Sequence, residues 1–233
     1  MAIPSEAQAP TFGPRFPKEN PVDSENLSET ARRLLIDGLE LLRLEVSQPQ
    51  VEELLGLAVL LSKWSGRMNL TGNRSLTEIV QRMVLETAAL VQQIPSVASL
   101  ADIGSGAGFP GLPIAILRPS TQVSLIEPRR KRHHFQRAAV RELQIANAKP
   151  LRGRAEELTP RPHAAVIAQA LAPPERALLW MLPWVEPGGW VMLPGSEEHA
   201  DVREKFGVDF EASVSYGAPN GGPRRSLWIG RLS

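Results

Sequence analysis

The chain has 233 residues, of which 42% are hydrophobic and 22% charged, and its formal net charge is +1. This is an ordinary globular balance with enough chain to bury a core, and it neither requires nor excludes a nucleic-acid partner, because a basic patch can sit on a neutral protein. The absence of cysteine excludes a disulfide framework, a thiolate zinc site and a cysteine nucleophile.

Residues 1–23 carry Pro4, Pro10, Pro14, Pro17 and Pro21 among polar residues, the composition of a flexible tail. Met1–Pro21 lacks a charged start followed by an apolar core, and no stretch approaches the ~20 apolar residues of a membrane span. A cytoplasmic protein with no membrane partner is expected.

Residues 24–94 read as a helical extension. One helix is expected from Ser28 to Glu45, with Leu34, Leu35, Leu39, Leu41 and Leu42 as its apolar stripe. A second runs from Gln50 to Trp64, with Gly66 helping to stop it. A third begins at Ser75, where Ser75-Leu76-Thr77-Glu78 has the capping-box pattern, and continues to Gln92.

From residue 95 the pattern changes to short apolar runs between helical stretches. Val97–Ile103, Gln122–Glu127, Ala148–Leu151, Ala164–Ala170 and Gly189–Leu193 read as strands; Pro110–Leu117, Arg130–Leu143 and Pro174–Leu182 read as the helices. Ala212–Tyr216 and Ser226–Arg231 read as two closing strands around the turn Asn220-Gly221-Gly222-Pro223. Such alternation specifies an α/β domain over 95–233, with a mostly parallel sheet and helices on both faces.

The run Asp102-Ile103-Gly104-Ser105-Gly106-Ala107-Gly108-Phe109-Pro110-Gly111 follows a strand and opens a helix, the context of a cofactor loop. Glycine permits positive φ and lets backbone approach a ligand, and free N–H groups at the next helix start can receive ligand oxygens. Pro110 fits the first helical turn. Gly106-Ala-Gly108-Phe-Pro-Gly111 matches the nicotinamide fingerprint G-x-G-x-x-G, whereas Asp102-x-Gly104-x-Gly106-x-Gly108 looks like the first motif of class I methyltransferases, so the loop alone leaves the cofactor open. Glu127 ends the second strand 25 positions after Asp102, where a carboxylate can accept both ribose hydroxyls. Gly153-Arg154-Ala155-Glu156-Glu157 follows the third strand, where an adenine edge would lie. Three ordered pieces favour a bound cofactor over a plain tight turn.

Further residues extend the match. Lys63-Trp64-Ser65-Gly66-Arg67-Met68-Asn69-Leu70-Thr71, the Gly-Phe-Pro-Gly-Leu-Pro run from Gly108, Glu127-Pro-Arg-Arg-Lys131-Arg132-His-His-Phe135 and Gly153–Glu157 together resemble the bacterial RsmG family, also called glucose-inhibited division protein B, over Glu53–Arg231. The resemblance implies a Rossmann-like class I methyltransferase fold with a seven-stranded sheet and an N-terminal helical extension. It also implies S-adenosylmethionine as cofactor and guanine N7 of small-subunit (16S) ribosomal RNA as target, with ribosomal RNA or the small subunit as partner. It implies that Gly104, Phe109, Ala155 and Glu156 touch the cofactor, with Glu127 near its ribose; Ser105, Gly106, Gly108 and Gln169 complete the candidate cofactor-binding set. The chain departs from the family at Met83, where a histidine is usual, at Gln169, where an arginine is usual, and at Pro194, where a lysine is usual.

Guanine N7 already offers a lone pair, so positioning suffices and no general base is called for. Ser105 lacks the G-x-S-x-G context of a hydrolase nucleophile. His133, His134, His163 and His199 form no zinc-helix motif, and no metal is expected. Arg67, Asn69, Arg82, Arg130, Lys131, Arg132 and Arg225 are candidate RNA contacts. Against that, Asn69 serves equally well as a turn or helix cap, and the charges after Glu127 serve equally well as a solvated helix face. A monomer is expected. Two other classes stay open: a degenerate member that binds RNA without methylating it, and a nicotinamide-dependent oxidoreductase.

Overall fold

The computed structural model describes residues 21–68, 70–72, 75–195, 205–219 and 223–233. Helix α1 (Pro21–Leu41) begins seven residues before the expected start, so Pro21–Asp23 belong to a helix. Ala31, Leu35 and Leu39 are buried along it, while Leu41, assigned to the apolar stripe from sequence, is 60% exposed. Helix α2 (Gln48–Met68) runs through Gly66. A glycine in a helix costs only about 1 kcal/mol, and burial of Val51, Leu54, Leu55, Leu57, Ala58 and Leu61, at roughly 25 cal/mol per Å² of apolar surface, outweighs it.

The third helical stretch is capped as read: the Ser75 hydroxyl accepts the Glu78 N–H and the Glu78 carboxylate accepts the Ser75 N–H. It is not uniform, however. Helix α3 (Leu76–Ile79) passes through a π-helical turn, Val80–Val84, into α4 (Leu85–Val91).

Strands β1 (Ser99–Ile103), β2 (Gln122–Ile126), β3 (Ala148–Leu151), β4 (His163–Ile167) and β5 (Val185–Pro194) alternate with α5 (Gly111–Leu117), α6 (Arg130–Glu142) and α7 (Pro174–Met181). Strands β6 (Val208–Tyr216) and β7 (Arg225–Leu232) close the chain. The sheet order is β3-β2-β1-β4-β5-β7-β6. Pairs among β1 to β5 are parallel, and β7 runs antiparallel to β5 and β6. This is the Rossmann-like class I methyltransferase architecture.

Side chains alternate across each strand. Leu100, Leu125, Ala165, Ile167, Met192 and Leu227 face one core together with buried residues of α1, α2, α4, α5 and α6. Ala101, Ile103, Ile126, Val166, Val191 and Trp228 face the other, beneath α7 and Trp184. Helices thus cover both faces, most of them on one, and the helical extension shares its core with the sheet. Because β1, β2 and β4 are parallel, their carboxyl ends open on one edge, the edge where open α/β sheets bind ligands. Among the described residues, no helix is long and apolar enough to cross a membrane.

Candidate cofactor and substrate site

The loop after β1 is held from below by polar groups. Asp102 is buried, and its Oδ2 accepts the Gly111 N–H at 2.9 Å; its Oδ1 has no hydrogen-bond partner among the described residues. Burial pushes the Asp102 pKa up to about 7, the nearby Glu127 charge adds to the rise, and the Gly111 hydrogen bond opposes it. Leu112 N–H bonds Gly108 O at 2.6 Å. The first amides of α5 are therefore satisfied within the protein and do not wait for ligand oxygens, and Pro110 precedes the helix rather than forming its first turn.

The three loop glycines at positive φ do different work. A Cβ on Gly104 (φ 71°) would run into Leu171, and one on Gly108 (φ 84°) into Leu112. A Cβ on Gly106 (φ 58°) would meet nothing closer than Arg132 Nη1 at 3.8 Å. Gly104 and Gly108 are thus packing positions, whereas Gly106 leaves open space on its ligand side. That space is what close backbone approach to a cofactor requires.

Glu127 lies beside this space with its side chain 3% exposed. Its Oε2 accepts the Gly106 N–H at 2.9 Å and its Oε1 accepts the Arg129 N–H at 2.7 Å; Arg132 Nη1 is 3.9 Å away. A carboxylate has about four lone-pair sites, so two acceptor positions remain for a diol. Gln136, on α6 beneath the loop, was not singled out from sequence. It is fully buried and donates to Ser105 Oγ and Gly106 O, both at 2.8 Å. The available signal was a polar residue within the apolar face marked by Phe135, Ala138 and Ala139.

These groups floor a cavity of about 570 Å³, within the roughly 300–1,000 Å³ range of small-molecule sites. Gly104, Gly106, Ala107, Phe109, Glu127, Pro128, Arg129 and Arg132 form one wall. Gln169, Ala170 and Leu171, after β4, form a second. Leu70, Thr71, Gly72, Arg82, Met83, Glu86 and Thr87 of the helical extension, with Arg225 of β7, form the roof. Ala170 holds φ 50°, a left-handed conformation that costs a non-glycine residue roughly 1–2 kcal/mol and is typical of functional sites.

The roof carries an ion pair between a buried carboxylate and an exposed guanidinium. Glu86 Oε1 lies 2.7 Å from Arg225 Nε, with side chains 8% and 43% exposed, and Gln169 Nε2 donates to the same oxygen at 3.4 Å. Tyr216 lies nearby with its hydroxyl buried and unpartnered; burial first, then the Glu86 charge, raises its pKa.

Of the residues named from sequence, the cavity brings together Gly104, Gly106, Phe109, Glu127, Gln169, Arg82, Arg132 and Arg225. Ser105 is buried under the loop. Ala155 is buried and accepts the Trp184 indole N–H at 3.2 Å, and Glu156 lies 3.8 Å from Arg154; neither lines the cavity. Arg130 and Lys131 are exposed on α6, away from the lining. Asn69 and the side chain of Arg67 lie outside the described residues. Among the described residues, no group of three or more His, Asp or Glu is arranged to hold a metal.

The family described as GidB, rRNA small subunit methyltransferase G, matches residues 50–214. Ribosomal RNA small subunit methyltransferase G of Chromohalobacter salexigens is 35% identical over 168 residues, 72% of this chain and 80% of that protein. That of Aliivibrio fischeri is 36% identical over 163 residues, 68% and 77% of the two chains. Among solved structures, a SAM dependent methyltransferase from Aquifex aeolicus superposes with a TM-score of 0.53 at 13% identity, covering 67% of this chain and 93% of that one, which supports the fold. The family match over most of the chain and these relatives show that the chain belongs to the rRNA small subunit methyltransferase G family, whose cofactor is S-adenosylmethionine.

Proposed function

We propose that this protein methylates N7 of a guanine in small-subunit ribosomal RNA. The observation that carries the reading is a cavity that brings Gly106 and Glu127 together with Gln169 and the helical roof. S-adenosylmethionine supplies, when bound, a methyl group activated on a positively charged sulfur.

The protein's residues do the rest. Gly106 gives the ligand close access to backbone, and Glu127 accepts the ribose hydroxyls with its remaining lone pairs. Gly104, Phe109 and Gln169 wall the cofactor space. Ser105 and Gly108 act from beneath by shaping the loop, and Ala155 and Glu156 stand at the adenine side. N7 carries a lone pair and no proton to remove, so the site needs orientation and water exclusion rather than a base. Asp102, buried under the loop, is a support of α5 and not a proton acceptor for substrate.

Arg82, Arg132 and Arg225 at the cavity, with Arg130 and Lys131 on the exposed side of α6, offer phosphate contacts; Arg67 and Asn69 are further candidates carried by the sequence. Residues 24–94 act as roof and 95–233 as cofactor domain. The protein works as a monomer in the cytoplasm on ribosomal RNA or the small subunit.

The test uses methyl-labelled cofactor and small-subunit ribosomal RNA, free and assembled, from cells lacking the enzyme. Label on N7 of one guanine supports the reading. Cofactor binding with no transfer to either form would overturn it in favour of an RNA-binding role, and label on another atom would overturn the N7 assignment.

A further inference from the structure

Two carboxylates line the cavity among the described residues, Glu86 and Glu127. They differ in what is left to do. Both oxygens of Glu127 already accept amides of the chain that shapes the loop. Glu86 uses one oxygen only. Its Oε1 takes both Arg225 and the Gln169 amide, while Oε2 has no hydrogen-bond partner among the described residues. Glu86 Oε2 is not one of the sealed, unpartnered polar atoms of the interior, and Glu86 lines the cavity, so this oxygen is open to a donor that arrives with a ligand.

Gln169 fixes where that donor belongs. It follows β4 and touches Glu86, which puts Glu86 where the helical roof meets the β4 wall of the cavity. A base presented for methylation at N7 must turn its imidazole edge toward the cofactor, which leaves its Watson–Crick edge for the protein. On that edge guanine shows two adjacent donors, N1–H and N2–H. Adenine shows an acceptor at N1, whose lone pair faces a carboxylate with repulsion. Unstacked RNA bases are commonly read by hydrogen bonds on this edge, and a carboxylate is an acceptor-only group that matches paired donors.

We infer that Glu86 is the specificity-determining residue for the target base: its carboxylate accepts from N1–H and N2–H of guanine, held in place by Arg225 and Gln169. The inference rests on the guanine-N7 reading above and names the residue that selects the base. Arg225 neutralises the carboxylate without occupying it, and Gln169 steadies Oε1 so that Oε2 stays aimed at the incoming edge.

The test changes one atom group of the RNA, so that protein folding does not enter. Small-subunit ribosomal RNA with inosine ligated in at the methylated guanosine lacks only the N2 amino group. Wild-type enzyme should methylate it roughly 10- to 100-fold more slowly at limiting RNA, the loss of one hydrogen bond to a charged group. Glu86→Gln should lower transfer to the guanosine RNA and shrink the guanosine-to-inosine ratio toward one, with cofactor affinity unchanged by calorimetry. Equal wild-type rates on the two RNAs would overturn the inference alone. So would a Glu86→Gln variant that keeps the ratio and loses cofactor affinity, which would assign the carboxylate to the cofactor. No transfer to either RNA would overturn the guanine reading, and this inference with it.

Discussion

The Gln136 side-chain amide donates to the Gly106 carbonyl at 2.8 Å, while the N–H of the same glycine is held at 2.9 Å by Glu127. One residue of the cofactor loop is thus fixed from two sides, by α6 beneath and by the acid after β2 beside it. Gln136→Leu removes this bond and the one to Ser105, and leaves acceptors near the core unpaired at roughly 1–3 kcal/mol each. Cofactor affinity should fall about tenfold, with a melting temperature lower by several degrees. Calorimetry and thermal denaturation check both, and an unchanged affinity would show that the loop holds its shape unaided.

Asp102 makes stability depend on pH. Its folded pKa, raised by burial to about 7, lies above its ordinary value of 3.8. The folded state therefore binds a proton that the unfolded state has released between those values. The contribution is fully present below about pH 4, is lost as pH rises toward 7, and is flat above. Asp102→Asn keeps an acceptor for the Gly111 N–H and should flatten this part of the profile. Denaturant titrations from pH 4 to 8 on both proteins decide the point: parallel profiles would contradict it.

The basic face of α6 predicts a salt effect. Arg130 and Lys131 are exposed and do not line the cavity, so Arg130→Ala and Lys131→Ala should leave cofactor affinity untouched. Each that contacts a phosphate should weaken RNA binding and lower the slope of log affinity against log salt by about one. RNA titrations at several salt concentrations read this directly, and unchanged slopes would make the charges a solvated surface.

Much of the fold was legible because strands repeat every two residues and helices at their own period, and burial follows that pattern: Leu125 and Ile126 face opposite cores as adjacent strand residues must. The capping box at Ser75 and Glu78 was legible for the same local reason. Gly66 misled because a weak local penalty was set against long-range packing of α2, which a single residue does not reveal. The π turn at Val80–Val84 has no such periodic signature. In the site, the loop and Glu127 were readable from spacing, but the Glu86–Arg225 pair joins residues far apart in sequence and emerges only when β7 pairs beside β5 under the helical roof.

The most direct test of the cofactor site is calorimetric titration of S-adenosylmethionine into wild-type protein and Gly106→Val. Apart from the adjoining residues, no described atom lies closer than 3.8 Å to a Cβ built at this position, so the variant should fold, at a backbone cost of roughly 1–2 kcal/mol, with its branched side chain filling the ligand's space. Binding by the wild type and none by the folded variant is the predicted result. No binding by the wild type, or equal binding by both, would contradict the placement of the cofactor against Gly106 and Glu127.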